Sequence, residues 1–282
     1  MNAPLNRRTL LAGGGLGFTA LALAACGAGG PKGPEADGGI TKITVGATPK
    51  PQGEILQFVI DNLQKDAKLE IKIEPYTDYQ IPNQALTDGD IDANYFQHKP
   101  FLEQQIDEKG FDLTPFEPIH IEPLGLFADK ASSVDEIPDG GEIALPNDPT
   151  NRGRGIALLA DAGLLTLKDG VEPTEAQTSD IATNPKNLKF TELEAAQIPR
   201  TLSDFAAGVV NGNYAIEAGL NPKKDSLKLE SAKGNPYANM LVVRTDDKDN
   251  AGLKKLDELL HSPEVKKFIQ KTYTDGSVLP AF

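Results

Sequence analysis

The 282-residue chain holds one cysteine, no tryptophan, three histidines and little positive charge. A single Cys excludes an intramolecular disulfide and any zinc or iron–sulfur site built on thiolates. Lys and Arg number 28 against 41 Asp and Glu, a net charge of −13. Counterion release from phosphates therefore cannot drive binding, so DNA or RNA is not an expected partner, nor is a basic patch for anionic lipid. Motifs of catalysis are also missing. None of His98, His120 and His261 sits in a recognisable local motif, and there is no G-x-S-x-G, G-x-x-x-x-G-K-[ST] or H-E-x-x-H. Asp88-Gly89-Asp90-Ile91-Asp92 starts like a calcium loop, but the required Gly and Glu are replaced by Ala93 and Lys99. No metal, cofactor or enzymatic activity is expected. What is present, 39% hydrophobic and 24% charged residues, suits an ordinary globular chain of one large domain or two lobes.

The single Cys gains meaning from its position. Residues 1–26 read MNAPLNRRTLLAGGGLGFTALALAAC, with Arg7 and Arg8 before an uncharged stretch from Thr9 to Ala25. That stretch is short and glycine-rich for a helix crossing a hydrocarbon core of about 30 Å, so residues 1–25 read as a signal peptide. Leu23-Ala24-Ala25-Cys26 resembles the lipobox of bacterial lipoproteins, in which the cysteine is acylated, with palmitate for example, and becomes the new N-terminus. The paired arginines also resemble a twin-arginine export signal, although Sec signals carry Arg pairs too. Cleavage before Cys26 would leave 257 residues and remove both arginines, taking the charge from −13 to −15. Residues 26–39 then form a lipidated Cys and a Gly/Pro-rich flexible tether. The expected location is the outer face of the cell membrane.

Downstream, Ile40–Ala47 alternates as a half-buried strand, residues 52–67 carry apolar residues at helical spacing, and 69–74 read as a second strand. Further pieces repeat the strand and helix alternation and predict α/β units with mainly parallel sheets. The proline-broken run 117–128 reads as a crossing between lobes, and Asn239–Arg244 as a strand returning to the first. Lobe 1 is thus expected at 40–122 plus 238–282 and lobe 2 at 123–237, with a ligand cleft between them.

Polar residues cluster at strand ends. Pro146-Asn147-Asp148-Pro149-Thr150-Asn151 leads into a helix carrying Arg154. Thr150 or Asn151 could cap that helix, and Arg154 beside its N-terminus would suit a carboxylate, or simply be a solvated Arg on a capped helix. Phe96 and His98 lie at a strand-to-helix junction, where such residues serve either a core or a site. These segments, DANYFQHKP and PNDPTN followed by Gly153-Arg154, together with VVNGNYA and NPYANMLVVR, resemble the NlpA lipoproteins. That family includes the methionine-binding lipoproteins of ATP-binding-cassette importers. The resemblance covers about 41–282 and implies a two-lobed periplasmic-binding-protein fold, type II-like, each lobe a mixed sheet flanked by helices. It implies a monomer that captures L-methionine or a close analogue and delivers it to a membrane permease. Residue by residue it places Tyr79, Phe96 and His98 around the methionine side chain, Arg154 on the carboxylate, and Asn211 and Asn239 on the backbone groups.

A polarisable thioether packs well on aromatic rings, and a zwitterion must have both charges answered once desolvated. Neutral amide oxygens could accept from the ammonium, so no dedicated carboxylate is required for it. Other readings are the same fold tuned to D-methionine, methionine sulfoxide or a methionine-containing dipeptide, a surface adhesion lipoprotein, or an extracytoplasmic enzyme.

Overall fold

The structure, a computed structural model, describes residues 30–172 and 175–282. The expected signal peptide and Cys26 lie outside the described residues. The first part of the chain holds β1 (Ala36–Asp37), β2 (Ile40–Ala47), α1 (Glu54–Asn62), β3 (Leu69–Pro75), α2 (Pro82–Asp88), β4 (Ala93–His98), α3 (Lys99–Lys109) and β5 (Leu113–Ile121). Then come β6 (Gly125–Phe127), β7 (Glu142–Pro146), α4 (Pro149–Asp161), β8 (Thr166–Leu167), β9 (Ile181–Thr183), β10 (Lys189–Leu193), α5 (Ile198–Thr201), β11 (Ala207–Val210), α6 (Gly212–Glu217), α7 (Pro222–Asp225) and β12 (Ser226–Leu229). The chain closes with β13 (Asn239–Arg244), α8 (Ala251–Leu260), α9 (Pro263–Thr272) and β14 (Leu279–Pro280).

These strands build two main sheets and the fold has two lobes. One sheet runs β1-β2-β4-β13-β5-β14, with β3 also on β2; the other runs β10-β7-β11-β6-β12. Both are mixed, which corrects the expectation of mainly parallel sheets drawn from strand and helix alternation. The parallel pairs are β2 with β3 and β4, and β7 with β10 and β11. Antiparallel pairing enters where the chain changes sheet: β13 returns between β4 and β5, and β6 joins β11 and β12. Alternation along one strand does not disclose which way its neighbour runs.

Helices pack where their apolar periodicity points. Ile55, Leu56 and Val59 of α1, Leu253, Leu256 and Leu260 of α8, and Val265 and Ile269 of α9 form one buried cluster with Ile43 and Val45 of β2. Each fully buried side chain of this size contributes about 1.5–3 kcal/mol. A second cluster joins Leu124, Leu126, Ile143, Leu145, Ile156, Leu159 and Val209. The helix expected over 52–67 ends at Asn62, followed by turns before β3.

The expected tether is not free along its whole length. Gly38 and Gly39, both at positive φ, turn the chain so that β1 pairs with β2. Asn250 Nδ2 donates to the Pro34 carbonyl at 2.8 Å, and Gly33 lies so close to Asp247 that a Cβ there would meet its Oδ1 at 2.2 Å. Unpaired backbone along β2 gives the segment a partner that its composition does not reveal.

The last residue of β13 ties this lobe together. Buried Arg244 donates through Nη1 to the Leu86 and Ile91 carbonyls at 2.8 and 2.7 Å, and through Nε to Asp247 at 2.7 Å. Truncating one member of a buried, hydrogen-bonded charge set leaves the rest unpaired. Arg244→Ala should therefore lower the unfolding free energy by about 3 kcal/mol or more, read from urea melts.

Candidate functional site

Tyr79, Phe96, His98, Arg154, Asn211 and Asn239, the six residues expected at the site, all line one cavity. Local structure explains the convergence. Phe96 and His98 come from the end of β4, where a shift of register against β13 at Met240 and Leu241 interrupts the alternation and lets Gln97 line the cavity beside them. Asn239 opens β13 and sits in register between His98 of β4 and His120 of β5. From the other sheet, Asn211 follows β11 directly and Arg154 lies on α4. Tyr79 comes from the loop ahead of α2.

The apolar end is aromatic. The rings of Tyr79, Phe96 and Phe101 lie 5.8 to 5.9 Å apart, tilted or edge-on, and Tyr214 stands 4.9 Å from Tyr79. Such rings offer both faces and edges to a polarisable group. Phe101 carries no hydroxyl, so among the described residues the phenol lining this end is that of Tyr79, with Tyr214 behind it. Tyr79 donates to Asn213 Oδ1 at 2.5 Å and Tyr214 to the Thr77 carbonyl at 3.1 Å, joining residues that flank opposite sheets.

Asp148 caps α4, accepting from the Asn151 backbone at 2.9 Å, in place of the expected Thr150 or Asn151. Pro149 fixes the first helical turn, so the cap falls one residue ahead of it. Asn151 is left as a bridge: its Nδ2 donates to Asp148, and its Oδ1 accepts from Asn211 at 2.9 Å and from His98 Nε2 at 3.2 Å. His98 Nδ1 accepts from the Phe101 backbone at 3.2 Å, which leaves the proton on Nε2. Burial, helped by the nearby Arg154 charge, pushes His98 down to about 3, so the ring is neutral.

Arg154 is neither a solvated side chain nor a free fork. It is 4% exposed and grips Glu230 with Nε and Nη2 at 2.8 and 2.5 Å, while Nη2 also reaches the Glu122 carbonyl at 3.0 Å. Tyr237 stacks on the guanidinium at 4.2 Å. Burial opposes the Glu230 charge, but Arg154 overcomes it and holds the carboxyl below its usual range. Only Nη1 is left without a protein partner among the described residues.

Glu122, Gly212 and Asn213 also line the cavity and were not singled out by sequence, and Asn151, expected there only as a helix cap, lines it too. Asn211 Oδ1 and Asn213 Nδ2 are buried without any hydrogen-bond partner, one acceptor and one donor. An orphaned buried polar atom costs about 1–3 kcal/mol, so two beside one cavity mark where a polar ligand would sit. The readable signal was N-G-N-Y following an all-apolar strand, a polar burst at a strand end. Glu122 gave less, because a lone Glu between two extended runs looks like a surface residue.

Two mixed sheets flanked by helices, facing each other across a cavity with an aromatic end and a charged end, define a two-lobed α/β fold of the solute-binding kind. Residues 43–282 match the NlpA lipoprotein family, and the chain belongs to it. It is 43% identical over 250 residues to the methionine-binding lipoprotein MetQ of Bacillus subtilis, covering 87% of this chain and 90% of that one. It is 44% identical over 230 residues to the D-methionine-binding lipoprotein MetQ of Escherichia coli K12, covering 79% and 83%. A nutrient binding protein from Burkholderia cenocepacia, solved bound to methionine, superposes with a TM-score of 0.81 at 42% identity, over 85% of this chain and 100% of that one.

The neutral His98 predicts a pH dependence with a definite sign. Between its unfolded value of 6.5 and its folded value of about 3, the unfolded chain binds the extra proton, so stability falls as pH falls through that window. From pH 6.5 to 5 the loss from this one group is about 2 kcal/mol. His98→Gln should flatten the decline by that amount in urea melts at the two pH values.

Proposed function

We propose that this chain is a lipid-anchored, extracytoplasmic solute-binding protein that captures L-methionine and delivers it to an ATP-binding-cassette importer. The observation that carries the reading is one cavity with an aromatic end for a thioether and a polar end with orphaned amides and the spare Arg154 Nη1. Tyr79, Phe96 and His98 surround the side chain. Arg154 Nη1, with Asn213 Nδ2, answers the carboxylate; Asn211 Oδ1 and Asn239 complete the backbone contacts. The lobes comprise 40–122 plus 238–282 and 123–237. The protein acts as a monomeric binding protein and not as an enzyme, in keeping with relatives named as binding lipoproteins. Because the E. coli relative is named for the D-isomer, D-methionine is the second reading for the same seat.

At the N-terminus, residues 1–25 act as a signal peptide, exported by the Sec or twin-arginine route. Cys26 carries the acyl anchor, and the spacer between it and the folded chain is shorter than 26–39 because β1 is docked.

Calorimetry tests the seat. L-methionine should bind the native protein at micromolar affinity or tighter, about −8 kcal/mol. Arg154→Ala and Asn239→Ala should each bring binding below detection; unchanged affinity in both contradicts the assignment. Metabolic labelling with a palmitate analogue tests the anchor. Cys26→Ser should lose the label and leave the membrane fraction, while retention of both contradicts lipidation at Cys26.

A further inference from the structure

The polar end of the cavity contains a carboxylate that the site as read so far does not use. Glu122 is 6% exposed and sits where the chain leaves the first sheet for the second. Its Oε1 accepts from Gln52 Nε2 at 2.7 Å and from His120 Nε2 at 2.8 Å. Tyr95 Oη, whose partner is His120 Nδ1 at 2.5 Å, donates there and so assigns the remaining ring proton to Nε2, facing Glu122. Gln52 is itself fixed, since its Nε2 also reaches Asn239 Oδ1 at 3.0 Å and its Oε1 accepts from Thr48. Every neighbour therefore donates to one oxygen of Glu122. The other, Oε2, takes no hydrogen bond from any described residue.

The chain also makes room for that oxygen. A Cβ at Gly212, another lining residue, would stand 2.7 Å from Glu122 Cβ and 3.3 Å from Oε2. Charge balance points the same way. Arg154 already has Glu230 as its carboxylate partner, whereas Glu122, whose contacts with Gln52 and His120 both fall on Oε1, lines the cavity with an oxygen to spare. Desolvating a carboxylate is costly, and a cation placed against it offsets that cost. Asn211 Oδ1, also unpaired and lining the same cavity, is a second acceptor.

We infer that Glu122 is a specificity residue for the ligand's cationic group: its free Oε2 receives the α-ammonium of an amino acid, with Gln52 and His120 as positioning residues. The inference rests on the cavity being an amino-acid seat. It makes the protein a reader of primary amines, rejecting N-acylated and amine-free analogues that keep the same side chain. It also replaces the expectation that neutral amide oxygens alone would answer the ammonium.

The test is a titration of the full-length protein, freed of ligand, with L-methionine and with 4-(methylthio)butanoate, which keeps thioether and carboxylate but lacks the amine. The native protein should bind L-methionine at least about thirtyfold tighter, the scale of a charge-assisted hydrogen bond. Glu122→Gln should shrink that gap at least about tenfold by weakening L-methionine while leaving the amine-free acid within about threefold. Equal affinity of the native protein for the two compounds overturns the proposal without needing any variant, which covers the case of a misfolded substitution. So does an equal loss of both ligands in a Glu122→Gln protein with an unchanged thermal midpoint. If neither compound binds the native protein, the amino-acid reading itself fails, a different outcome from loss of amine discrimination.

Discussion

Arg154 is the point on which both connections between the sheets converge. The first connection, leaving β5, puts the Glu122 carbonyl on Nη2; the second, leaving β12, supplies Glu230 as a bidentate partner and Tyr237 as a stacking ring. Glu230 in turn accepts from the Leu124 backbone at 3.1 Å, so the two connections are also bonded to each other. A buried ion pair of this kind does little for net stability compared with apolar packing, yet losing one partner is severe. Its consequence here is geometric. The guanidinium cannot swing, one nitrogen is left over, and the two segments about which lobes would move are tied to the residue that borders the cavity.

That fixed cation organises the chemistry around it. Arg154 helps keep His98 neutral, and the neutral ring can then both donate to Asn151 and accept from the Phe101 backbone. Asn151 passes the constraint to Asn211, whose carbonyl oxygen is left unpaired. Polar groups that satisfy one another everywhere except at the cavity wall form a preorganised site, in which little ordering remains to be done on binding. The aromatic end needs no such network. Its rings hold one another at centroid distances near 6 Å, and tolerance there costs little because dispersion is not directional.

Much of the fold was legible because burial imposes period: β2 and β13 fall on the boundaries the apolar pattern marks. Strand direction was not legible, since alternation is the same either way, and neither was the docking of 31–37, which depends on an edge of β2 that no local composition reports. All six site residues expected from the family resemblance line the cavity. What escaped were partners. Glu230 lies 76 residues from Arg154, and Gln52 lies 70 residues from Glu122. Such pairings are set by how two lobes meet, and a single sequence without its fold offers no period or spacing from which to read them.

Native mass spectrometry of the protein as purified bears most directly on whether this cavity is a methionine seat. A preorganised zwitterion site of micromolar affinity or better predicts a bound mass of one methionine that is lost on unfolding and restored by added L-methionine. An unliganded protein that takes up no methionine, or one that carries a dipeptide, would contradict it.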